Sequence, residues 1–468
     1  MGYPLDLEDY DDSNGSADDY RTHFMDNLRT TLTVLLIVQH SIIETASSSY
    51  PYFDSTPLTV FVFMCKTLIV GLFFFISGYA ASISRSTPAA YYGAGRSDAS
   101  FVWRRSLRLL FPAFLYGIFG HLIIWMVLTK SWPSFFGGAG SVSTEDGYST
   151  PQVWGFARFE GPVVHILFLW VLDMAYVFLR PAKKAVMAGI ISTPRRSAPP
   201  PKSDSERSIS GNRFNASRRK AARMVKIRSR KDWYRLSGIA LALLSVWTFA
   251  VTASGKSEKS PLRFGFNVAS YDAIVPAAPF QHILAYMAGI QLYKWQNYML
   301  IPSPYIFPAF IASLFSSVSL LLLSMAISPT MREIVQLNTP WPVHPSFVDG
   351  GFNYHTLFFS VWNAVTFFAL ASTIVSLYAQ WEWTRRDWGS VARHSYIPVW
   401  FHMIPIVFFV RLLAADGGWS PSRAEAKWAP GLAQESVVWR CFLVATGSTI
   451  CSWFVGLAVA GCGWVLGC

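Results

Sequence analysis

Charged residues are scarce in this sequence. They make up 14% of its 468 residues, whereas hydrophobic residues make up 52% and aromatic residues 16%. Soluble domains carry about 25% charged residues. Such a chain cannot bury all its apolar surface in one water-soluble core, and it holds many apolar runs of about 20 residues. The composition predicts an all-α, multi-pass integral membrane protein of an endomembrane or the plasma membrane.

Cysteine is also rare, and its spacing excludes two kinds of site. The sequence has five cysteines and no C-x-x-C pair, so neither a disulfide framework nor a metal site is expected. Buried thiols are the expected state, with palmitoylation of Cys462 or Cys468 as the alternative. The sequence also lacks a nucleotide P-loop, an H-E-x-x-H metalloprotease motif, a serine nucleophile elbow and a dinucleotide-binding glycine motif.

The N-terminus has no basic residue. Residues 1–20 hold seven carboxylates and no Lys or Arg, the reverse of a secretory signal peptide. We expect residues 1–22 to form a disordered acidic tail. Residues 23–468 would then form one transmembrane domain.

The apolar runs predict about ten membrane helices. Two prolines, Pro398 and Pro405, are expected to kink the ninth, because proline removes a backbone hydrogen bond. The predicted helices lie at residues 29–47, 57–82, 106–129, 162–180, 236–253, 275–293, 304–328, 355–379, 394–414 and 436–465.

The basic residues predict the orientation. Between residues 181 and 235 there are 16 Lys and Arg and three acids, a net charge of +13. The whole chain has a net charge of +12, so the rest of it is close to neutral. Basic loops stay in the cytosol, so both termini are expected there. The loop is expected to contact anionic lipids rather than nucleic acid. A calmodulin-binding segment is the alternative that its composition also allows.

Polar residues form a stripe along the first predicted helix. At about 100° per residue, Arg29 and His40 lie on one side, about three turns apart, with Glu44 near the same line. A neutral imidazole can act as a general base, and Glu44 or Gln39 could orient it. A guanidinium suits an anionic ligand. The alternative is a histidine satisfied by packing and an arginine that reaches the interface.

Three further groups are candidates for the site. Arg105 and Arg108 share a helix face and could clamp phosphates, or anchor the helix at the cytosolic interface. Ser77 and Gly78 allow close helix approach, so packing is their expected role. His402, within the ninth predicted helix, could pair with the first helix or bond a backbone carbonyl.

An ordered set of motifs resembles a known family. The motifs are Asp26-Asn27-Leu28-Arg29 with His40, Phe73 to Tyr79, Arg105-x-x-Arg108, Gly161-Pro162, Pro279-Phe280-Gln281-His282 to Gly289, and His394-Ser395-Tyr396 to His402. Together they span residues 21 to about 410. This pattern resembles the membrane-bound type 3 acyltransferase family, and it looks closest to the subgroup that includes the bacterial glucan biosynthesis protein C.

The resemblance implies an integral membrane O-acyltransferase. It would move an acyl group, commonly acetyl, from acetyl-CoA to a hydroxyl of a glycan, terpenoid or polyketide acceptor. Acetyl-CoA would be a co-substrate, with no permanently bound cofactor. By position in the motifs, His40 would be the catalytic histidine, and Arg29, Arg105 and Arg108 would handle the acyl-CoA.

Two features depart from the family pattern. Val164-His165 stands where the family often has Trp-Phe after the Gly-Pro pair, and the basic 181–235 segment is unusual. Both concern the acceptor more than the chemistry. Two other functions remain open from the residues: a transporter or exporter of a glycan or metabolite, and a membrane scaffold that acts through its basic loop.

Overall fold

The structure is a computed structural model, and it describes most of the predicted membrane region. In the described residues the regular structure is helical throughout. The predictions for residues 1–22, for Cys468 and for most of the basic loop lie outside this part of the chain. The described residues are 23–48, 56–86, 98–120, 123, 162–191, 230–254, 278–327, 352, 354–415 and 430–465.

Thirteen α-helices and one π-helical turn make up the described part of the chain. We number the α-helices in chain order as α1 (His23–Ser48), α2 (Thr56–Ser86), α3 (Asp98–Leu115), α4 (Pro162–Ile191), α5 (Arg230–Ser254), α6 (Ala278–Met299), α7 (Ser303–Ile327), α8 (Tyr354–Gln380), α9 (Glu382–Arg385), α10 (Ser390–Arg393), α11 (Tyr396–Phe401), α12 (Met403–Ala415) and α13 (Pro430–Val465). The π-helical turn, Tyr116–Gly120, follows α3.

A helix lies at each of the ten positions predicted from the apolar runs. Five helices of the described chain are long and apolar enough to cross a membrane: Val60–Ile83, Trp233–Val251, Ser303–Leu323, Thr356–Gln380 and Val438–Val459. The membrane character of the fold is therefore confirmed. A count of ten spans and cytosolic termini stay predictions.

Several helix ends differ from the prediction, most of all at α4, which continues to Ile191 instead of ending at residue 180 and so includes the start of the predicted basic loop. The third helix begins at Asp98, because the amphipathic stretch around Trp103 continues the helical pattern before the apolar run. The ninth predicted helix is broken at His402, between α11 and α12. Pro405 has no N–H to bond the Phe401 carbonyl, which weakens a continuous helix at this point.

Helices α2 and α6 approach each other closely through two glycines. A Cβ atom at Gly78 would collide with the Tyr286 carbonyl oxygen, and one at Gly289 would collide with the Phe75 carbonyl oxygen. Only a residue without a side chain allows the two backbones to lie so near. The close approach predicted at Ser77-Gly78 is confirmed, and Ser77 is itself buried in α2.

Replacing Gly289 with Ala is expected to lower the thermal stability in detergent, by about 1–3 kcal/mol, because α2 and α6 must move apart. Gly238→Ala is the matched control. It lies in α5 with no atom within 4 Å of its added Cβ, so it should leave stability unchanged or raise it. Equal melting curves for wild type and Gly289→Ala would contradict the close approach.

A closed ring of hydrogen bonds joins α2, α6 and α8. Thr67 donates to the Asn363 amide oxygen (3.0 Å), Asn363 donates to the Gln281 amide oxygen (3.1 Å), and Gln281 donates to the Thr67 carbonyl (2.7 Å). All three side chains are buried. Unpaired amides are costly in an apolar interior, so this ring fixes how the three helices fit together.

Candidate functional site

Two histidines from distant parts of the chain meet inside the helix bundle. The rings of His40, on α1, and His402, between α11 and α12, have centroids 5.2 Å apart and planes tilted by 54°. His402 is 1% exposed, whereas His40 is only partly buried. The predicted base therefore lies beside a second imidazole.

His402 combines the two roles that the sequence left open. Its ring contacts His40 on the first helix, and its Nδ1 lies 2.8 Å from the Val399 carbonyl oxygen. Its Nε2 is buried and has no hydrogen-bond partner among the described residues. The His402 ring is thus held by a hydrogen bond at Nδ1, whereas Nε2 has no partner in the described part of the chain.

The sequence offered two residues of α1, Glu44 and Gln39, as groups that could orient the His40 ring. Glu44 is half-buried, and no hydrogen bond joins it to His40 within the described residues. Gln39 is 5% exposed, and as the next residue it points to a different side of the helix. Lys66 on α2 and His165 on α4 lie within electrostatic range of His40. Together with His402, Lys66 and His165 place ionisable side chains from three other parts of the fold near His40.

A second pair of histidines lies between α2, α4 and α6. His282 stacks on Phe74, with ring centroids 4.4 Å apart and planes at 6°. His165 meets the His282 ring edge-on at 5.6 Å. The sequence placed His282 in a family motif but gave neither histidine a role. His165 also lies within electrostatic range of His40, so the two histidine pairs are neighbours inside the bundle.

Arg105 forms a buried ion pair that the sequence analysis missed. Its Nε lies 3.3 Å from Oδ2 of Asp173 on α4, and Tyr286 on α6 donates a hydrogen bond of 2.7 Å to Oδ1 of the same carboxylate. Asp173 is fully buried and the Arg105 side chain is 14% exposed. An aspartate inside the apolar run of residues 166–179 was the available signal, because such a carboxylate requires a partner.

Arg29 holds a segment of the chain that precedes α11. It donates to the Ser395 hydroxyl and to the Ala392 carbonyl, each at 2.9 Å, and pairs with Asp26 at 2.9 Å. The Arg29 side chain is 15% exposed. Its described contacts join the N-terminal part of α1 to residues 392–395.

Other polar residues of α1 hold the same segment. Asn27 donates to the carbonyls of Thr384 (2.8 Å) and Arg386 (2.7 Å), and Thr33 donates to the Ser395 carbonyl (3.1 Å). The predicted polar stripe therefore has two parts. Its N-terminal half is bonded to residues 384–395, and only its far half reaches the histidine pair.

Arg108 approaches the same segment from α3. Its guanidinium carbon lies 4.8 Å from the centroid of the Tyr396 ring, in a cation–π contact, and its side chain is exposed. Since Tyr396 follows Ser395, Arg29 and Arg108 converge on adjacent residues. Arg105 points elsewhere, towards Asp173. The structure thus separates the two arginines of the R-x-x-R motif.

A comparison with protein families decides the identity at this level. A family model described as an acyltransferase domain, of the acyltransferase 3 family, matches residues 22–457. The chain belongs to the acyltransferase 3 family. The family suggested by the motifs is confirmed, while the glucan biosynthesis protein C subgroup stays a prediction. Comparisons with curated proteins and with solved structures each returned no match.

The family and the apolar helices together make the protein a membrane acyltransferase. The match covers α1 and the segment before α12 alike, so both histidines of the central pair lie within the acyltransferase domain. The roles of His40, Glu44, Arg29, Arg105, Arg108, Ser77 and His402 stay predictions.

The segment between α8 and α11 of the acyltransferase forms a small polar surface. The Gly389 N–H donates to Asp387 at 2.8 Å, and Arg393 pairs with Asp387 at 3.2 Å. The Gly389 hydrogen bond, with His23 and Arg393 nearby, holds the pKa of Asp387 below its usual range. Trp381 and Trp383 are exposed on this surface. These bonds keep the segment in one shape beside Arg29.

An apolar crevice of the acyltransferase lies apart from the histidines, between α2, α5, α6 and α8. Its lining has no ionisable side chain. Apart from the Ser372 hydroxyl, its lining offers mainly hydrocarbon and aromatic contacts. The lining residues are Leu72, Phe75, Trp233, Leu284, Ala285, Leu292, Met299, Leu300, Phe367, Phe368, Ala371, Ser372 and Val375.

Proposed function

We propose that the protein is an O-acyltransferase that moves an acyl group, in the first place acetyl, from acyl-CoA to a hydroxyl of an acceptor. The observation that carries the proposal is the contact between His40 and the buried His402, on a helix whose N-terminal part holds Arg29 beside the segment that Arg108 also contacts. The acyltransferase family gives the reaction type. The arrangement offers a base, His40, inside the bundle and two cations, Arg29 and Arg108, beside residues 395 and 396.

His40 acts as the general base in this proposal. A ring nitrogen of His40 takes the proton of the acceptor hydroxyl, and the oxygen attacks the thioester carbonyl carbon. The carbon–sulfur bond then breaks, the acyl group stays on the acceptor oxygen, and the imidazolium returns its proton to the CoA thiolate. No group beyond the two substrates is consumed.

The donor enters from the end of the bundle that carries Arg29 and Arg108. Arg29 and His40 are eleven positions apart in the chain, which places them about 16 Å apart along α1. CoA has a phosphate-bearing nucleotide at one end and the thioester at the end of a long pantetheine arm. With its phosphates at Arg108 and its thioester at His40, acyl-CoA would span this separation with its pantetheine arm. With the predicted orientation, this mouth faces the cytosol.

Arg108 is the better candidate for phosphate binding than Arg105. Arg108 is exposed and its guanidinium lies against Tyr396, next to the residue that Arg29 contacts, whereas Arg105 pairs with the buried Asp173 further from Arg29. Arg29 supports the mouth by holding Ser395 in place. Arg29 and Arg108 thus serve the donor end, while Arg105 has a structural role through its ion pair with Asp173.

The acceptor meets the donor at the histidine pair. His40 is only partly buried, and in this proposal the acceptor hydroxyl approaches its ring. Acceptors of this class are glycans or small molecules such as terpenoids and polyketides. Glu44, one turn further along α1, would line the side from which the acceptor arrives.

The basic 181–235 loop would contact anionic lipids.

The test uses the purified protein in vesicles with [14C]acetyl-CoA. We expect label to appear in an acceptor present in a metabolite extract, and to form an alkali-labile ester. A deletion strain should accumulate a species lighter by one acyl group. Movement of a metabolite across the vesicle membrane without acyl-CoA, and with no labelled product, would contradict the proposal and favour a transporter.

Replacing Arg108 with Gln is expected to raise KM for acetyl-CoA by about tenfold, because a charge-assisted phosphate contact is lost. Acetyl-pantetheine, which has no phosphate, should show no such change. Arg104→Gln is the matched control, since the Arg104 side chain folds back on Ser100. An equal rise of KM for both donors would contradict a phosphate contact at Arg108.

A further inference from the structure

We infer that His402 is a positioning residue: its Nε2 accepts a hydrogen bond from one ring nitrogen of His40 and so presents the other nitrogen to the acceptor hydroxyl. This inference rests on the proposed role of His40 as the base. It replaces Glu44 and Gln39 as the group that orients the base. The partner comes from a residue 362 positions away in the chain.

The tautomer of His402 follows from its backbone contact. A carbonyl oxygen only accepts hydrogen bonds, so Nδ1 of His402 must carry the hydrogen that it shares with Val399 at 2.8 Å. In the neutral ring Nε2 then has a lone pair and no hydrogen. That atom is buried and has no hydrogen-bond partner in the described part of the chain. A buried acceptor without a partner is costly, so it needs a donor.

His40 is placed to be that donor. Its ring centroid lies 5.2 Å from that of His402, and the tilt of 54° means that the rings do not stack. A nitrogen-to-nitrogen hydrogen bond of about 3 Å, extended by the distance from each nitrogen to its ring centre, gives a separation of this size. We infer that a rotation of the His40 ring brings its N–H onto Nε2.

The backbone keeps His402 in place while His40 works. The His402 N–H bonds the Pro398 carbonyl at 3.0 Å, and Ile406 N–H bonds the His402 carbonyl at 3.2 Å. The break between α11 and α12 thus leaves this residue bonded on both sides. A base whose partner is fixed needs less rearrangement during the reaction. The same lone pair stabilises the imidazolium that forms when His40 takes the proton.

The other ionisable groups around His40 do not supply this contact. Lys66 on α2 has only donors when charged, so it cannot accept from the ring. Glu44, on the same helix, makes no hydrogen bond to His40 within the described residues. His165 on α4 lies within electrostatic range of His40 and packs edge-on against His282. His402 alone combines a ring contact with His40 and an unused buried acceptor.

Two variants of His402 test the inference in the acyl-transfer assay. His402→Leu removes the acceptor, and we expect kcat to fall about 10²-fold with KM for both substrates unchanged, because the base is no longer aligned. His402→Gln keeps an amide N–H for Val399 and an oxygen for His40, and kcat should stay within about tenfold of wild type. Met403→Leu, a volume-conserving change beside it, controls for repacking.

The outcomes separate this inference from the proposed function. An inactive His40→Ala with a fully active His402→Leu would overturn only the positioning role. An active His40→Ala would overturn the base as well. Equal losses in His402→Leu and His402→Gln, or a loss confined to KM, would also overturn positioning. If the leucine variant does not fold, His402→Asn replaces it, since this amide is too short to reach both partners and should lose activity where Gln retains it.

Discussion

Replacing His40 with Gln is expected to lower kcat for acyl transfer by about 10²- to 10⁴-fold, the range lost when a general base is removed. Gln fills a similar volume but cannot take a proton at neutral pH. KM for acetyl-CoA should change little, because the proposed phosphate site lies towards the other end of α1. Initial rates with labelled acetyl-CoA, at saturating acceptor, measure both constants.

His23→Gln is the control on the same helix. His23 lies in the first turn of α1, 3.8 Å from Asp387, far from the histidine pair. Its activity and melting curve should match those of the wild type. If His40→Gln turned over at the wild-type rate, His40 would not be the base, and the reaction would need another group in the polar interior.

The second large effect is expected at Asp173. Asp173→Asn removes the counter-charge of Arg105, whose side chain is only 14% exposed, and breaking a buried pair by removing one partner costs up to roughly 3–5 kcal/mol. Thermal unfolding in detergent should show the loss even in variants that still bind both substrates. The effect should be largest on the packing of α3, since its Arg105 meets α4 through this carboxylate.

The double variant Asp173→Asn/Arg105→Gln separates charge from packing. Removing both charges should recover a large part of the stability lost in either single variant, as a double-mutant cycle measures. Stabilities that simply add would mean that the two side chains do not interact. Recovered stability with recovered activity would also show that Arg105 is not needed for phosphate binding.

Local sequence patterns were enough to predict the helices. Apolar runs of bilayer length locate a helix at every predicted position, because each helix satisfies its own backbone in an apolar medium. The ends were less certain. The third helix starts earlier, at Asp98, since the amphipathic stretch before the apolar run is helical too. The break at His402 was predicted only as a kink from Pro398 and Pro405.

The partners of the site residues could not be predicted from spacing alone. Helical periodicity placed Arg29 and His40 on one side of α1, and the structure agrees. It could not show that Arg29 bonds Ala392 and Ser395, or that His402 meets His40, because those contacts join residues more than 350 positions apart. Asp173 was the missed residue with a usable signal, a lone carboxylate in an apolar run.

The contacts of α1 have a consequence for biogenesis. Among the described helices α1 comes first in the chain, and it bonds residues 384–395 and packs against α13, the last described helix. Its polar side therefore lacks these partners until residues 384–395 have been made, since domains form from the N-terminus as synthesis proceeds. Arg29 and His40 would then be the residues most in need of a chaperone or insertase, and a chain stopped before residue 384 should be degraded.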